Sequence, residues 1–317
     1  MPLFSPSPET LHVTLLLLPE SSLMSLAATL DTMRAANRLS RRHLFQWRVV
    51  SLDGEPVELS CGQRIHPDAA FSDSCSGDLL ICIAAFHHSW YMPEEQLRHF
   101  KRRAKVFPYV GAVESGSWIL ARAGMLSGKR ATTHWEDLED FRDSYPQVNV
   151  LPDRYAIDGR LFTTGGASPT IDLMLHLIGM RYGHPLALEV ASIFIYDGAG
   201  AQSPQPLVSL GPLQQQAPRV SRAVQLMSEQ IDEPLTITAI ASKLGMSNRT
   251  LQLLFQRELG VTPHAYYRRL RLQSAKRLVQ NSNHSMLEIS VRTGFSSLAS
   301  FSREFKKYYG ASPSHLR

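Results

Sequence analysis

The 317-residue chain reads as two folds in series. An α/β N-terminal domain, a parallel sheet covered by helices on both faces, precedes an all-α C-terminal domain with two helix-turn-helix motifs. Three observations predict this. Short, nearly continuous apolar runs alternate with helix-spaced segments up to Tyr196, the pattern of a parallel sheet buried on both sides. From Arg219 the pattern is helical to the end. Within that helical region a single stretch occurs twice: Ile240–Pro263 is answered by Ile289–Pro313, with Gly245 matching Gly294, Phe255 matching Phe305, Gly260 matching Gly310 and Pro263 matching Pro313. The copies differ by one residue inserted in the turn before the second helix. Each reads as a short helix, a glycine-containing turn and a longer amphipathic helix.

In the first domain, Leu11–Leu18 is an apolar run expected to form a strand covered on both faces. Leu26, Leu30, Met33 and Ala36 place a helix over Leu23–Leu39. Phe45–Leu52 alternates as a second strand, and Pro56–Phe71 holds short extended pieces. Asp78–Phe86 is another buried strand, Pro93–Lys105 a basic amphipathic helix, and Val106–Val113 a strand again. The Gly165-Gly166 pair closes a strand and admits a helix from Pro169 with Ser168 as its N-cap. That helix start either lines a cleft or is simple turn chemistry. Pro185–Tyr196 is a further helix. The expected domains are therefore 1–197 and 219–317. Between them lies a linker, 198–218, rich in Gly, Pro, Gln and Ser and free of charge.

The hydrophobic fraction of 44% suffices for packed cores. The longest apolar stretch, Leu11–Pro19, is far shorter than the roughly 20 residues of a membrane span, and acidic Glu9 and Glu20 flank it with no cleavage site following. Three cysteines, Cys61, Cys75 and Cys82, form no CxxC pair and fit reduced thiols. The expected location is cytoplasmic, with no membrane partner. The net charge of +5 conceals a split: residues 210–317 carry 15 Lys and Arg against 6 Asp and Glu, or +9, and the remainder 18 against 22, or −4. A basic C-terminal third on a mildly acidic body points to a polyanion as partner of one module only.

The informative place in the first domain is Val110–Leu126, VGAVESGSWILARAGML. A strand ends in a sharp turn beside Gly116 and runs into a helix, which lifts one side chain above the sheet as in a nucleophile elbow. That side chain is Glu114. With Lys129–Phe141 and Leu161–Leu175 downstream, residues Leu11 to Asp197 resemble the class I glutamine amidotransferase-like superfamily, most of all the PfpI-like version at the front of some AraC-type regulators. Enzymes of that superfamily carry cysteine at the elbow, and in the PfpI-like branch a histidine commonly follows. This chain has Glu114 followed by Ser115. A carboxylate cannot attack an amide and leave again as a thiolate does, so the cleft is expected to bind without reacting.

A carboxylate at the floor of a cleft calls for a cation. Trp118, Trp90 with Tyr91, and His134 with Trp135 are the groups expected around Glu114, and indole faces beside a carboxylate make a cage for an ammonium ion. The competing reading is that these tryptophans are core. The resemblance implies a small amine or amino acid as effector, such as arginine, betaine or a carnitine-like compound. His87, His88 and Cys82 lack the spacing of a structural zinc site and read as solvated loop histidines and a free thiol. No cofactor and no metal are expected.

In the C-terminal third, Val220, Ala223, Val224, Met227 and Ile231 make the stripe of a supporting helix. Thr236–Lys243 starts copy one, Gly245 stops it and Ser247 caps the next helix. That helix buries Leu251, Leu254, Phe255 and Leu259 and presents Arg249, Gln252, Leu253 and Gln256. Pro263–Gln280 is a basic connecting helix bearing Arg268, Arg269, Arg271, Lys276 and Arg277. Ser285 and Glu288 form a capping box that opens copy two. Its second helix is expected to bury Leu298, Phe301, Phe305 and Tyr309 and to present Ala299, Ser302, Arg303 and Lys306. The whole third resembles the AraC/XylS DNA-binding domain. The resemblance implies double-stranded promoter DNA as partner, with the recognition helices in successive major grooves about 34 Å apart, and RNA polymerase as a further partner. Apolar surface on the α/β domain would permit a homodimer.

The expected function is thus a ligand-responsive transcription regulator, more in keeping with activation than repression. An amidase-type enzyme tethered to DNA and an architectural DNA-binding protein are the competing classes. Aligned on their phenylalanines, the copies place Leu253 where Arg303 stands. Arginine pairs with guanine through two hydrogen bonds, whereas leucine touches only a thymine methyl. Arg303→Ala should therefore relax base specificity by about 1–3 kcal/mol at one position, and Leu253→Ala by less. Equal losses over a set of base-substituted operators would show the heads to be equivalent.

Overall fold

The structure is a computed structural model that describes residues 2–196 and 217–316. It divides into two compact units, within 1–205 and within 206–317. Apart from Ala217 and Pro218, the expected linker lies outside the described residues.

In the first unit β1 (Leu11–Leu17), α1 (Leu23–Ser40) and β2 (Phe45–Ser51) open the fold. The short strands β3 (Val57–Glu58), β4 (Arg64–Ile65) and β5 (Ala69–Ala70) follow, then β6 (Leu79–Ala84), α2 (His88–Tyr91) and α3 (Glu94–Ala104). Next come β7 (Tyr109–Glu114), α4 (Gly116–Arg122), β8 (Arg130–Ala131), α5 (Leu138–Ser144) and β9 (Asn149–Val150). The unit closes with β10 (Tyr155–Asp158), β11 (Leu161–Thr164), α6 (Ala167–Tyr182) and α7 (His184–Ile193). Seven strands form one sheet in the order β10-β11-β7-β6-β1-β2-β5. Every pairing is parallel except the β10–β11 edge hairpin, which turns at Gly159-Arg160 with Gly159 in the left-handed region, as a two-residue hairpin loop requires at its first position.

The continuous apolar runs have a simple cause. Successive side chains of a strand point to opposite faces, and both faces of this sheet are covered. Leu15, Leu17, Leu79, Ile81 and Ile83 pack with Leu26 and Met33 of α1 and Leu173 and Leu177 of α6. Leu16, Leu80 and Cys82 pack with Phe100 of α3, Ile119 of α4 and Phe141 of α5. The chain leaves β1 towards β2 on one side and returns to β6 on the other, so the crevice over the carboxyl ends of β1 and β6 is the switch point where such sheets bind ligands.

Ser168 does not cap α6. The helix starts at Ala167 behind Gly166, one residue before Ser168, whose hydroxyl accepts from Arg154 Nη2 at 2.7 Å and lies 3.2 Å from the Tyr196 hydroxyl.

The second unit contains α8 (Pro218–Ser228), α9 (Ile237–Lys243), α10 (Asn248–Leu259), α11 (Pro263–Asn281), α12 (Met286–Arg292) and α13 (Leu298–Tyr309). Thr236, Ser247, Thr262, Ser285 and Ser297 each accept a backbone N–H at the N-terminus of the helix they precede, satisfying donors a helix start leaves open. Ser285 and Glu288 complete the capping box at 2.6 and 3.2 Å. The core of copy one gathers Val220, Val224, Ile240, Leu251 and Phe255, and that of copy two Leu272, Val279, Ile289, Phe301 and Phe305. Leu298 departs from expectation: at the first turn of α13 it is 39% exposed.

One backbone contact shapes the end of β7. A Cβ on Gly116 would lie 2.4 Å from the Cys82 carbonyl oxygen on the neighbouring strand, so only glycine lets α4 start this close to β6. Gly116→Ala should cost about 1–3 kcal/mol of stability through forced backbone displacement. All four tryptophans lie before residue 197, so denaturant melting followed by tryptophan fluorescence reads this unit alone. An unshifted midpoint would show that the turn has slack.

Candidate ligand cleft and nucleic-acid interface

Glu114 ends β7 in the left-handed region, at φ 54°, and Ser115 bridges it to α4. The Ser117 hydroxyl ties the turn to the Glu114 carbonyl at 2.8 Å. This lifts the Glu114 carboxylate toward the first turn of α1, where the Ser25 hydroxyl donates to its Oε1. Burial pushes the Glu114 carboxyl above the usual glutamate range. The Ser25 hydrogen bond and the nearby His134 oppose that rise, and Asp137 adds to it. Glu114, Ser25, His134 and Asp137 therefore share one electrostatic site. The His134 ring lies 5.7 Å from that of Trp135 and 3.8 Å from the Glu136 carboxylate. A Cβ on Gly166 would lie 3.5 Å from the His134 ring, which brings the start of α6 beside this group.

The five residues expected around the ligand are not all brought together. His134 lies within electrostatic reach of Glu114, with Trp135 beside His134. Trp118 is turned into the core, packed on His88 at 5.4 Å, Phe141 at 5.0 Å and Tyr145 at 5.8 Å. Trp90 is 57% exposed and stacks 4.7 Å from His87, whose Nδ1 meets the Glu20 carboxylate. Glu20, His87 and Glu114 are all left-handed and follow or end β1, β6 and β7, three adjacent strands. Non-glycine residues in that region cost of order 1–3 kcal/mol each and gather at functional sites.

The expectation of two solvated histidines is corrected. His87 is paired with Glu20, and His88 is only 3% exposed, its pKa lowered to about 3 by burial, then by Arg122 and His87. Among the described residues no group of three or more His, Cys, Asp or Glu is arranged to hold a metal ion. Burial pushes the Cys82 thiol up to about 12, which leaves it unreactive. Ser25 and Asp137 were not anticipated; nothing in the sequence links a serine in the first turn of α1 to a residue 89 positions away.

In the second unit Arg249, Gln252, Leu253 and Gln256 are exposed on the side of α10 opposite buried Leu251 and Phe255, and Leu253 is 63% exposed. On α13, Arg303 and Lys306 are exposed and Ser302 half-buried, opposite Phe301 and Phe305. The turn between α9 and α10 is one residue shorter than that between α12 and α13. The basic side chains of α11 largely have protein partners: Arg268 with Glu304 at 3.4 Å, Arg269 over Tyr266 and Lys276 over Tyr309, both at 5.1 Å.

The raised pKa of Glu114 fixes a pH dependence. An acid titrating higher in the folded than in the unfolded state stabilises folding while protonated in both, and that contribution is lost as pH rises through the folded value. Glu114→Gln should thus gain stability relative to the native chain as pH is raised from about 4 to about 8, with little difference at the acid end. Tryptophan-detected denaturant melts across that range measure the gap; a gap independent of pH would refute the assignment.

Residues 13–180 match the DJ-1/PfpI family, and residues 240–317 match a helix-turn-helix domain. The chain is 34% identical over 299 residues to the HTH-type transcriptional regulator GbdR of Pseudomonas aeruginosa, covering 94% of this chain and 82% of that one. It is 33% identical over 303 residues to the HTH-type transcriptional regulator CdhR of the same species, covering 95% and 90%. A solved AraC family transcriptional regulator from Pseudomonas putida superposes with a TM-score of 0.52 at 26% identity, over 58% of this chain and 99% of that one. With both halves matched and the relatives spanned along most of their length, the chain belongs to the HTH-type transcriptional regulators that join a DJ-1/PfpI domain to an AraC-type helix-turn-helix domain.

Proposed function

We propose that this regulator senses a small cationic metabolite, an amine or amino acid, through a DJ-1/PfpI domain that binds without catalysis. The observation that carries the reading is Glu114: a half-buried carboxylate at the elbow, held by Ser25 and within electrostatic reach of His134 and Asp137. A carboxylate kept from water gains most from a partner of opposite charge. Trp135 beside His134 and exposed Trp90 supply aromatic surface suited to an ammonium or quaternary ammonium group. Trp118, as part of the core, is left out of the binding set. On the DNA side, Arg249, Gln252 and Gln256 on α10 and Ser302, Arg303 and Lys306 on α13 are the side chains proposed to meet promoter DNA.

The mechanism is a population shift. Effector favours the arrangement of domains or protomers in which both recognition helices engage DNA, and it does so by binding that arrangement more tightly. Resemblance to AraC-type activators supports activation through RNA polymerase as the output.

The test is a thermal-shift and calorimetric screen of the full chain against arginine, betaine, carnitine and simple amines, since a true effector raises stability by mass action. A cationic compound should raise the melting temperature. Glu114→Gln should weaken its binding roughly 10–100-fold, the loss of a hydrogen-bonded charge worth about 1.5–3 kcal/mol. Affinity should also fall as pH is lowered through the raised Glu114 pKa, because only the ionised carboxylate attracts a cation. An unaltered affinity in Glu114→Gln would sink the cationic reading, and amidase turnover abolished by that substitution would establish an enzyme instead.

A further inference from the structure

Arg271 looks, in the sequence, like one more basic residue on the connecting helix. Its surroundings are unlike those of a phosphate contact. Nε donates to the Thr293 carbonyl at 2.8 Å and Nη2 to the Gly294 carbonyl at 2.5 Å. The guanidinium lies 4.4 Å from the centroid of the Phe295 ring. Three consecutive residues of the copy-two turn are thus held by one side chain at the middle of α11. One helical turn earlier the Tyr267 hydroxyl donates to the Gln230 carbonyl, in the loop that leads into copy one. Loop and turn also touch directly: a Cβ on Gly294 would lie 2.4 Å from Pro234 Cγ and 2.5 Å from the Ile231 carbonyl oxygen. Gly294 stands at φ 68°, so it combines a left-handed turn with a close approach.

These contacts join the 230–234 loop of copy one, the 293–295 turn of copy two and α11 between them. Beside the junction a cleft of about 550 Å³ opens, bordered by Pro234, Tyr267, Arg271, Gly294 and Phe295 among others. An open cleft makes each contact that spans it matter more to the angle between the copies.

We propose that Arg271 is a positioning residue: with Gly294 and Tyr267 it sets the distance and angle between the two recognition helices, and it does not contact DNA phosphate. Two of its five N–H donors hold the turn carbonyls, one face lies against a phenyl ring and the side chain is half-buried, so its orientation is set by the turn, and losing it frees the turn before α13.

The inference rests on both helices engaging DNA, which the experiment checks first. Full-length native protein selects duplexes from a random pool, and the preferred duplex should hold two boxes. Binding of native protein, Arg271→Met and Gly294→Ala is then measured on that duplex and on versions with one base pair added or removed between the boxes. Circular dichroism melts confirm that each variant is folded. Native protein should discriminate against altered spacing at least tenfold. Both variants should lose most of that discrimination, to within about threefold, while the slope of log K against log salt is unchanged. Gly294→Ala alters no charge, so it separates geometry from electrostatics. If Arg271→Met keeps the spacing preference and loses about one unit of salt slope, the residue is a phosphate contact and the proposal fails. A single selected box would remove its premise, and retained spacing preference in Gly294→Ala would overturn it independently.

Discussion

The Cys82 carbonyl occupies the place a side chain at residue 116 would need, and the candidate ligand cleft follows from that contact. Because Gly116 lets α4 begin against β6, β7 must turn within a single residue. That residue, Glu114, is forced into a left-handed conformation and its carboxylate is carried over the strand ends. In the enzymes this turn resembles, such strain presents a nucleophile. Here it presents a half-buried carboxylate that accepts from the Ser25 hydroxyl and feels the charges of His134 and Asp137. On the proposed reading this carboxylate is what recognises the effector, and a ligand that neutralises Glu114 gains most there.

The second unit follows a different logic. Apart from the 19-residue α11 its helices are short, and most starts are secured by a hydroxyl cap, so local signals define the elements while two small cores hold them. Much of the positive charge on α11 has a partner within the unit: Glu304, aromatic rings and carbonyls of the copy-two turn. The +9 balance of the region thus overstates what is available to a polyanion. Exposed basic side chains stand on α10 (Arg249, Arg257) and α13 (Arg303, Lys306, Lys307), and also on α8 (Arg219, Arg222), α9 (Lys243) and α11 (Arg269).

What could be read from the sequence was whatever depends on neighbours along the chain. Leu11–Leu17 announced a doubly covered strand because alternate residues feed two cores. The repeat, its caps and the elbow at Glu114 are local patterns and were legible too. Features settled by distant segments were not. Ser25 reaches Glu114 only because α1 starts at the same edge of the sheet. Trp118 sits one helical turn from Glu114, yet Phe141 and Tyr145 of a later segment claim its ring. His88 is drawn into that same stack, and Ser168, expected as a cap, accepts from Arg154. Arg271 has the composition of a surface charge and the surroundings of a strut.

The extra residue in the turn before α13 has a consequence for orientation. Two identical heads on one arm could dock on a repeated site with either box under either head. Here the turns differ in length and the outward faces differ in chemistry, Leu253 against Arg303 and Gln256 against Lys306. A single chain so built has a front and a back along the duplex. With both helices on DNA as proposed, a site written for such a chain reads in one direction only.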